Sequence, residues 1–189
     1  DLSRVLSGPA ATMLLADQGA DVIKVEPLVG DITRQMGVGH DGMTSGFLNM
    51  NRGKRAVALD LRRAKGLEVI RRLAQTADVF VQNFRPGAMA RLGFDYEAVA
   101  ARHPRLVYCS ISGFGDSGPD AVRPGYDLIV QGESGLMDLT GEADRPPTRI
   151  GIPIADLTAG MMAAQGIALA LLARHTTGRG QHVKIAMLD

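Results

Sequence analysis

DLSRVLSGPAATMLLADQGADVIKVE, residues 1–26, is the stretch that decides the fold. Residues 1–6 read as the tail of a strand, after which Ser7, Gly8 and Pro9 turn the chain. Residues 10–18 form a helical run that stops at Gly19, because glycine accepts the left-handed backbone that commonly closes a helix. Residues 20–26 are apolar and β-rich and end in an acid, Glu26. Strand, tight turn, helix, strand and acid is the layout of a nucleotide-binding βαβ unit. The turn lacks G-x-G-x-x-G, which argues against a nicotinamide-dependent dehydrogenase, and Glu26 reads equally well as a surface carboxylate.

Working outward, the alternation repeats. The pattern predicts strands over residues 56–61, 78–84, 106–114 and 182–188. Between them it predicts helices over 62–75, 88–92 and 96–102, the last capped by Asp95. Residues 30–49, 115–125 and 140–149 read as loop, and 126–137 as a helix broken near Gly135. Strands alternating with helices predict an α/β fold, a Rossmann-like parallel sheet with helices on both faces. Such sheets bind ligands beyond the carboxyl ends of their strands, where Asn83-Phe84-Arg85 and Gly113-Phe114-Gly115 stand. Arg52, Lys54, Arg55, Arg62, Arg63 and Lys65 surround a turn and a helix start. They suit a polyphosphate or, equally, a solvated surface.

Composition narrows the class. The 189 residues are 22% charged and 46% hydrophobic, with a net charge of +1, which leaves no bulk bias towards nucleic acid or membrane. Trp is absent and other aromatics are few, so base-stacking platforms are disfavoured. The single cysteine, Cys109, lies inside an apolar run and reads as a buried strand residue. One cysteine excludes an internal disulfide framework and fits a reducing, cytoplasmic setting. The longest apolar run, residues 157–173, is interrupted by Thr158, Gly160, Gln165 and Gly166. It falls short of a comfortable bilayer span and predicts a buried core helix. A chain that opens at Asp1 without Met and stops just past a strand reads as a fragment.

The reactive candidates are few. His40, His103, His175 and His182 are scattered without metal-ligand spacing, so no metal site is expected. No G-x-S-x-G elbow, Walker loop or Cys-x-x-Cys occurs. Carboxylates remain, and Asp156 in GIPIADLTAGMMAAQGIALALL (residues 151–172) is the best placed. Aspartate before a small-residue helix is an ordinary N-cap. An apolar lead-in that desolvates it would instead suit a nucleophile attacking an acyl group through a mixed anhydride.

The motif set strongly resembles the family III CoA-transferases, a family that includes formyl-CoA transferase and carnitine CoA-transferase and is related to α-methylacyl-CoA racemase. The motifs are SGPAATMLLADQGADVIKVE, GD-x-x-R at residues 30–34, NRGKRAVALDL, VQNFRPG, GFDYEAVAARHPRLVYCSISGFG, PGYD, and IPIADLTAG with TGRGQHV. They span essentially the whole chain in order and correspond to about the first half of the usual family length.

The resemblance implies a Rossmann-type, CoA-binding large domain over residues 1–189, with the small domain and its Gly-rich loop beyond Asp189. It also implies an interlocked homodimer acting on acyl-CoA and a carboxylic acid acceptor, with CoA as substrate and no separate cofactor. The transferases' catalytic aspartate falls on Asp156. Their CoA-contacting positions fall on Leu6 and Ser7, on Leu59, Asp60, Leu61 and Arg62, on Asn83, Phe84 and Arg85, and on Arg91. A basic family position falls on Pro27, and Arg123 stands near the position of a family lysine. The racemases carry a histidine where this sequence has Tyr126; a tyrosine with its ordinary pKa near 10 is a poor proton shuttle at neutral pH. Transfer is therefore favoured over racemisation, and a non-catalytic CoA-binding fragment is the other alternative.

Overall fold

The structure, a computed structural model, describes residues 1–41 and 43–189. The first half runs α1 (Ser7–Asp17), β1 (Val22–Glu26), a 3-10 turn (Ile32–Gln35), the two-residue strands β2 (Gly39–His40) and β3 (Met43–Thr44), α2 (Ser45–Asn51), β4 (Lys54–Ala58) and α3 (Ala64–Thr76). The second half runs β5 (Val79–Gln82), α4 (Ala88–Leu92), α5 (Tyr96–Arg102), β6 (Val107–Ser112), α6 (Asp127–Glu133), α7 (Ile154–Thr177) and β7 (His182–Ala186).

β1 pairs with β4, and β5 with β6 and β6 with β7, all in parallel. Residues 1–3 join the two ladders. Asp1 N donates to Ile23 O at 3.0 Å, and Val25 N donates to Asp1 O at 2.8 Å, the two-bond pattern of a parallel pair. On the other side Leu2 N donates to Val81 O at 2.8 Å. The lateral order is therefore β4, β1, residues 1–3, β5, β6, β7. This is the doubly wound order, with its switch point between the end of residues 1–3 and the end of β5.

Alternating side chains send each strand's two faces into separate cores. Val107, Cys109 and Ile111 of β6 meet Ala159, Ala163 and Ile167 of α7. Tyr108 faces the other way, with Ile70, Phe80, Met89 and Val99 from α3, β5, α4 and α5. Cys109 is fully buried and its thiol is pushed up to about 12 by burial, so it is a packing residue. The helices at 88–92 and 96–102 stand where the sequence puts them, and Asp95 Oδ1 accepts from Ala98 N at 2.9 Å.

Several expectations need correction. Ser7, Gly8 and Pro9 form the first turn of α1 rather than a separate turn; proline fits there because first-turn amides have no helical partner to lose. The stretch read as loop over residues 30–49 holds the 3-10 turn, β2, β3 and the start of α2, while Gly42 lies outside the described residues. β4 begins two residues before the predicted strand. Glu26 is buried, not a surface acid: its carboxylate accepts from Arg34 Nε and Nη2, each at 2.7 Å, and from Asp31 N at 2.8 Å. Burial alone would raise the Glu26 pKa, but the bonds from Arg34 and from the Asp31 amide outweigh it, leaving the carboxyl below its usual range.

α7 is also not wholly a core helix. It has 24 residues, is long and apolar enough to cross a membrane, and buries only 33% of its most apolar stretch. Its small residues, Ala155, Ala159, Gly160 and Ala163, face inward, while Met161, Met162, Leu169 and Leu172 are exposed.

Candidate active site

The switch point carries a cavity of about 170 Å³ lined by Arg4, Ser7, Asn83, Arg123, Tyr126 and Asp156, among others. Beside it lies a second cleft of about 420 Å³, lined by Pro27, Leu59, Asp60, Leu61 and Arg62. Arg4 and Phe84 line both.

Each wall has a local cause. The end of the first extended segment is fixed by Asn83, whose Oδ1 accepts from Arg4 N and whose Nδ2 donates to Arg4 O, both at 2.8 Å. The next residue, Val5, has φ +68°, a left-handed conformation that costs a β-branched residue of order 1–3 kcal/mol. Its amide donates to Asp31 Oδ1 at 3.4 Å. Asp31 also accepts from Thr33 N and Thr33 Oγ1, and forms a buried ion pair with Lys24 at 2.9 Å. The GD-x-x-R stretch thus braces the strained corner that presents Ser7 to the cavity.

Asp156 is the third residue of α7, not its N-cap; Pro153 holds that position. The capping acceptor comes from elsewhere in the fold: Asp127 Oδ1 accepts from Asp156 N at 3.1 Å. Asp127 is held in turn by Gln131, whose Nε2 donates to Asp127 Oδ2 at 2.6 Å and whose Oε1 accepts from Ile150 N at 2.9 Å. The Asp156 carboxylate is therefore free of capping duty and lies beside Ser7, whose hydroxyl and amide favour its ionised form. Gly160 permits this approach, because a Cβ there would sit 2.8 Å from Ser7 O and 2.9 Å from Ala10 Cβ. Burial raises the Asp156 pKa to about 6, with the polar groups of Ser7 opposing and the Asp127 charge adding to the rise. At neutral pH most of it is still ionised, as a poorly solvated and hence more reactive carboxylate.

The residues drawn from the family resemblance divide. Ser7, Asn83, Phe84, Arg85 and Arg123 line the cavity with Asp156, while Leu59, Asp60, Leu61 and Arg62 line the adjoining cleft. Arg123 stacks over Phe114 at 4.6 Å and pairs with both Asp120 and Glu133. Arg62 pairs with Asp60 at 2.9 Å. Leu6 precedes α1, and Arg91 lies exposed in the last turn of α4; neither lines these two pockets. The six-cation cluster splits across the sheet. Arg52 pairs with Asp17, Arg55 with Asp21, and Lys54 donates to Pro9 O at 2.9 Å, all at the amino end of β4 away from the cavity. Sequence reasoning missed Arg4 and Asp127. The only signals for them were a cation at a predicted strand end and the acid of PGYD.

A doubly wound parallel sheet with a desolvated carboxylate, Asp156, facing a cavity at its switch point defines an α/β protein of Rossmann-like topology. The chain belongs to CoA-transferase family III, whose family model matches residues 1–189. It is 45% identical over its full length to the succinate–glutarate CoA-transferase of Agrobacterium fabrum, covering 49% of that protein. It is 47% identical to the acetyl-CoA:oxalate CoA-transferase of Acetobacter aceti, again with 100% of this chain and 49% of that protein covered. Among solved structures it superposes on a CAIB/BAIF family protein from Brucella suis with a TM-score of 0.95 and 46% identity, covering all of this chain and 51% of that one. The chain spans about half the length of the curated relatives it matches.

Proposed function

We propose that residues 1–189 form the CoA-binding large domain of an acyl-CoA transferase, with Asp156 as its nucleophile. The observation that carries this reading is the desolvated Asp156 carboxylate, beside Ser7 on the wall of the cavity. An Asp156 oxygen attacks the thioester carbonyl carbon, the C–S bond breaks, and CoA leaves as thiolate. The acceptor carboxylate then attacks the aspartyl carbonyl of the mixed anhydride and displaces the donor acid. CoA thiolate attacks the acceptor's acyl carbon, which completes the new thioester and frees Asp156. CoA enters as substrate, the cycle draws on no separate cofactor, and the setting is cytoplasmic. Tyr126, exposed on the cavity rim, stands where the racemases carry histidine and favours this reading over racemisation, since a phenol shuttles protons less readily than an imidazole near neutrality. The test is trapping. Acyl-CoA followed by hydroxylamine should convert Asp156 to a hydroxamate detectable by peptide mass, and an unlabelled Asp156 during active turnover would refute the covalent step.

The nucleotide portion of CoA lies over the cleft beside Arg62, and not at the amino end of β4. Arg62→Gln should therefore weaken CoA binding about three- to tenfold and flatten its salt dependence. Arg52→Gln, which removes a partner of Asp17, should leave the CoA dissociation constant unchanged by calorimetry. The reverse pattern would move the phosphate site to the other end of the sheet.

The exposed apolar face of α7 is the part of this chain best suited to an interface in an interlocked homodimer. Met161, Met162, Leu169 and Leu172 together leave more apolar surface open than a solitary helix face needs. Sedimentation of the chain alone should show concentration-dependent self-association. Glu at Met162 and Leu169 together should suppress it, and a monodisperse monomer at high concentration would contradict the assignment.

A further inference from the structure

Arg4 is held from both sides. Its backbone is tied to Asn83 by the two 2.8 Å bonds already described. Its guanidinium carbon lies 4.9 Å from the centre of the Phe84 ring. Yet Nε is buried with no hydrogen-bond acceptor, and no carboxylate pairs with the side chain among the described residues. Arg4 is half-buried, and its covered Nε–H makes no hydrogen bond, so part of the charge stands without compensation. A cation–π contact with Phe answers only part of that charge. Such a charge is tolerated where something else supplies the counter-charge. The position is open to a ligand, because Arg4 lines the cavity that holds Asp156 as well as the adjoining cleft. Of the other cations on the cavity wall, Arg123 already has two acidic partners, and Arg85 is exposed, where water can solvate its charge.

We propose that Arg4 binds a second, non-reacting carboxylate of the acid substrate, so that the site prefers dicarboxylic over monocarboxylic acids. This rests on the acyl-transfer reading above. One carboxyl of the acid must reach Asp156 to react, and a cation elsewhere on the same wall is placed to take another. A planar carboxylate also matches a guanidinium edge by paired N–H bonds. A CoA phosphate is the other anion available. It suits the exposed Arg62 at the outer cleft, where its hydration can be kept, better than a buried Nε edge.

The test uses the full-length protein with glutarate and valerate as acceptors of equal carbon number. Wild type should have a KM for glutarate at least about tenfold below that for valerate. Arg4→Gln should raise the glutarate KM about 30-fold, while the valerate KM and the CoA dissociation constant stay unchanged. Arg4→Lys, which keeps the charge and loses the fork, should fall between and decides the matter if the Gln variant does not fold. Equal KM values for the two acids in wild type, or equal losses for both in the variants, overturn the assignment. Weakened CoA binding with an unchanged glutarate KM assigns Arg4 to phosphate and overturns it too. Wild type that transfers CoA to neither acid overturns the acyl-transfer reading itself, and the assignment with it.

Discussion

Asp156→Asn should abolish transfer, lowering kcat by at least about 10³-fold, while CoA binds as in wild type. The neutral amide cannot form the anhydride, yet it fills the same space beside Ser7. The same variant should be more stable than wild type near pH 7. Burial and the Asp127 charge raise the Asp156 pKa from 3.8 to about 6, so the folded state binds this proton more tightly than the unfolded chain. The stability tied to that proton is fully present below about pH 4 and is lost as pH rises through about 6. Asn has no such proton to lose. Its melting temperature should therefore exceed that of wild type at pH 7–8, and the gap should close as the pH is lowered towards 4. Catalysis runs the other way, with wild-type activity falling as Asp156 is protonated below about pH 6. An Asn variant that keeps turnover would reduce Asp156 to a packing residue. An inactive variant with no stability gain would show that Asp156 is not strained by its burial.

The second large effect lies in a backbone contact. The β6 end and the loop into α6 touch at Gly113 and Gly125: a Cβ on Gly113 would sit 2.4 Å from Gly125 Cα and 2.9 Å from Gly125 N. Both neighbours are backbone, so neither can rotate aside. Gly113→Val should push the 125–127 segment outward and draw Asp127 away from the Asp156 amide. Overpacking of this kind costs about 1–3 kcal/mol, or about 3–10 °C in melting temperature for a chain of this size. Transfer should fall at least about 100-fold, because a displacement of about 1 Å misaligns the nucleophile. Gly46, whose added Cβ meets nothing within 4 Å, provides the control, and Gly46→Ala should melt at or slightly above wild type. A Gly113→Val protein with wild-type stability and activity would show that the 125–127 segment does not position Asp127.

Much of this protein is written in local physics. The apolar run of β6, the helix of residues 88–92 and the Asp95 cap of α5 depend only on residues a few positions apart, and the sequence locates them to within about two residues. The first βαβ unit and the parallel class followed from the same short-range signals. The order of motifs along the chain pointed to the family. Short-range signals also misled where another part of the fold took over a local role. Asp156 has the look of a cap, but the cap is Asp127, 29 residues earlier in sequence, carried on a separate helix. Six neighbouring cations look like one patch, but β4 carries three to the amino end of the sheet and leaves Arg62 at the other. The convergence of Arg4, Ser7, Asn83 and Asp156 depends on residues 1–3 lying between β1 and β5, and on Gly160 letting α7 close on α1. Periodicity and capping encode which residues form a strand or a helix. Strand order and helix-to-helix distance, set by packing between distant segments, decided which carboxylate was free to react and placed Arg4 on the cavity wall with no acidic partner among the described residues.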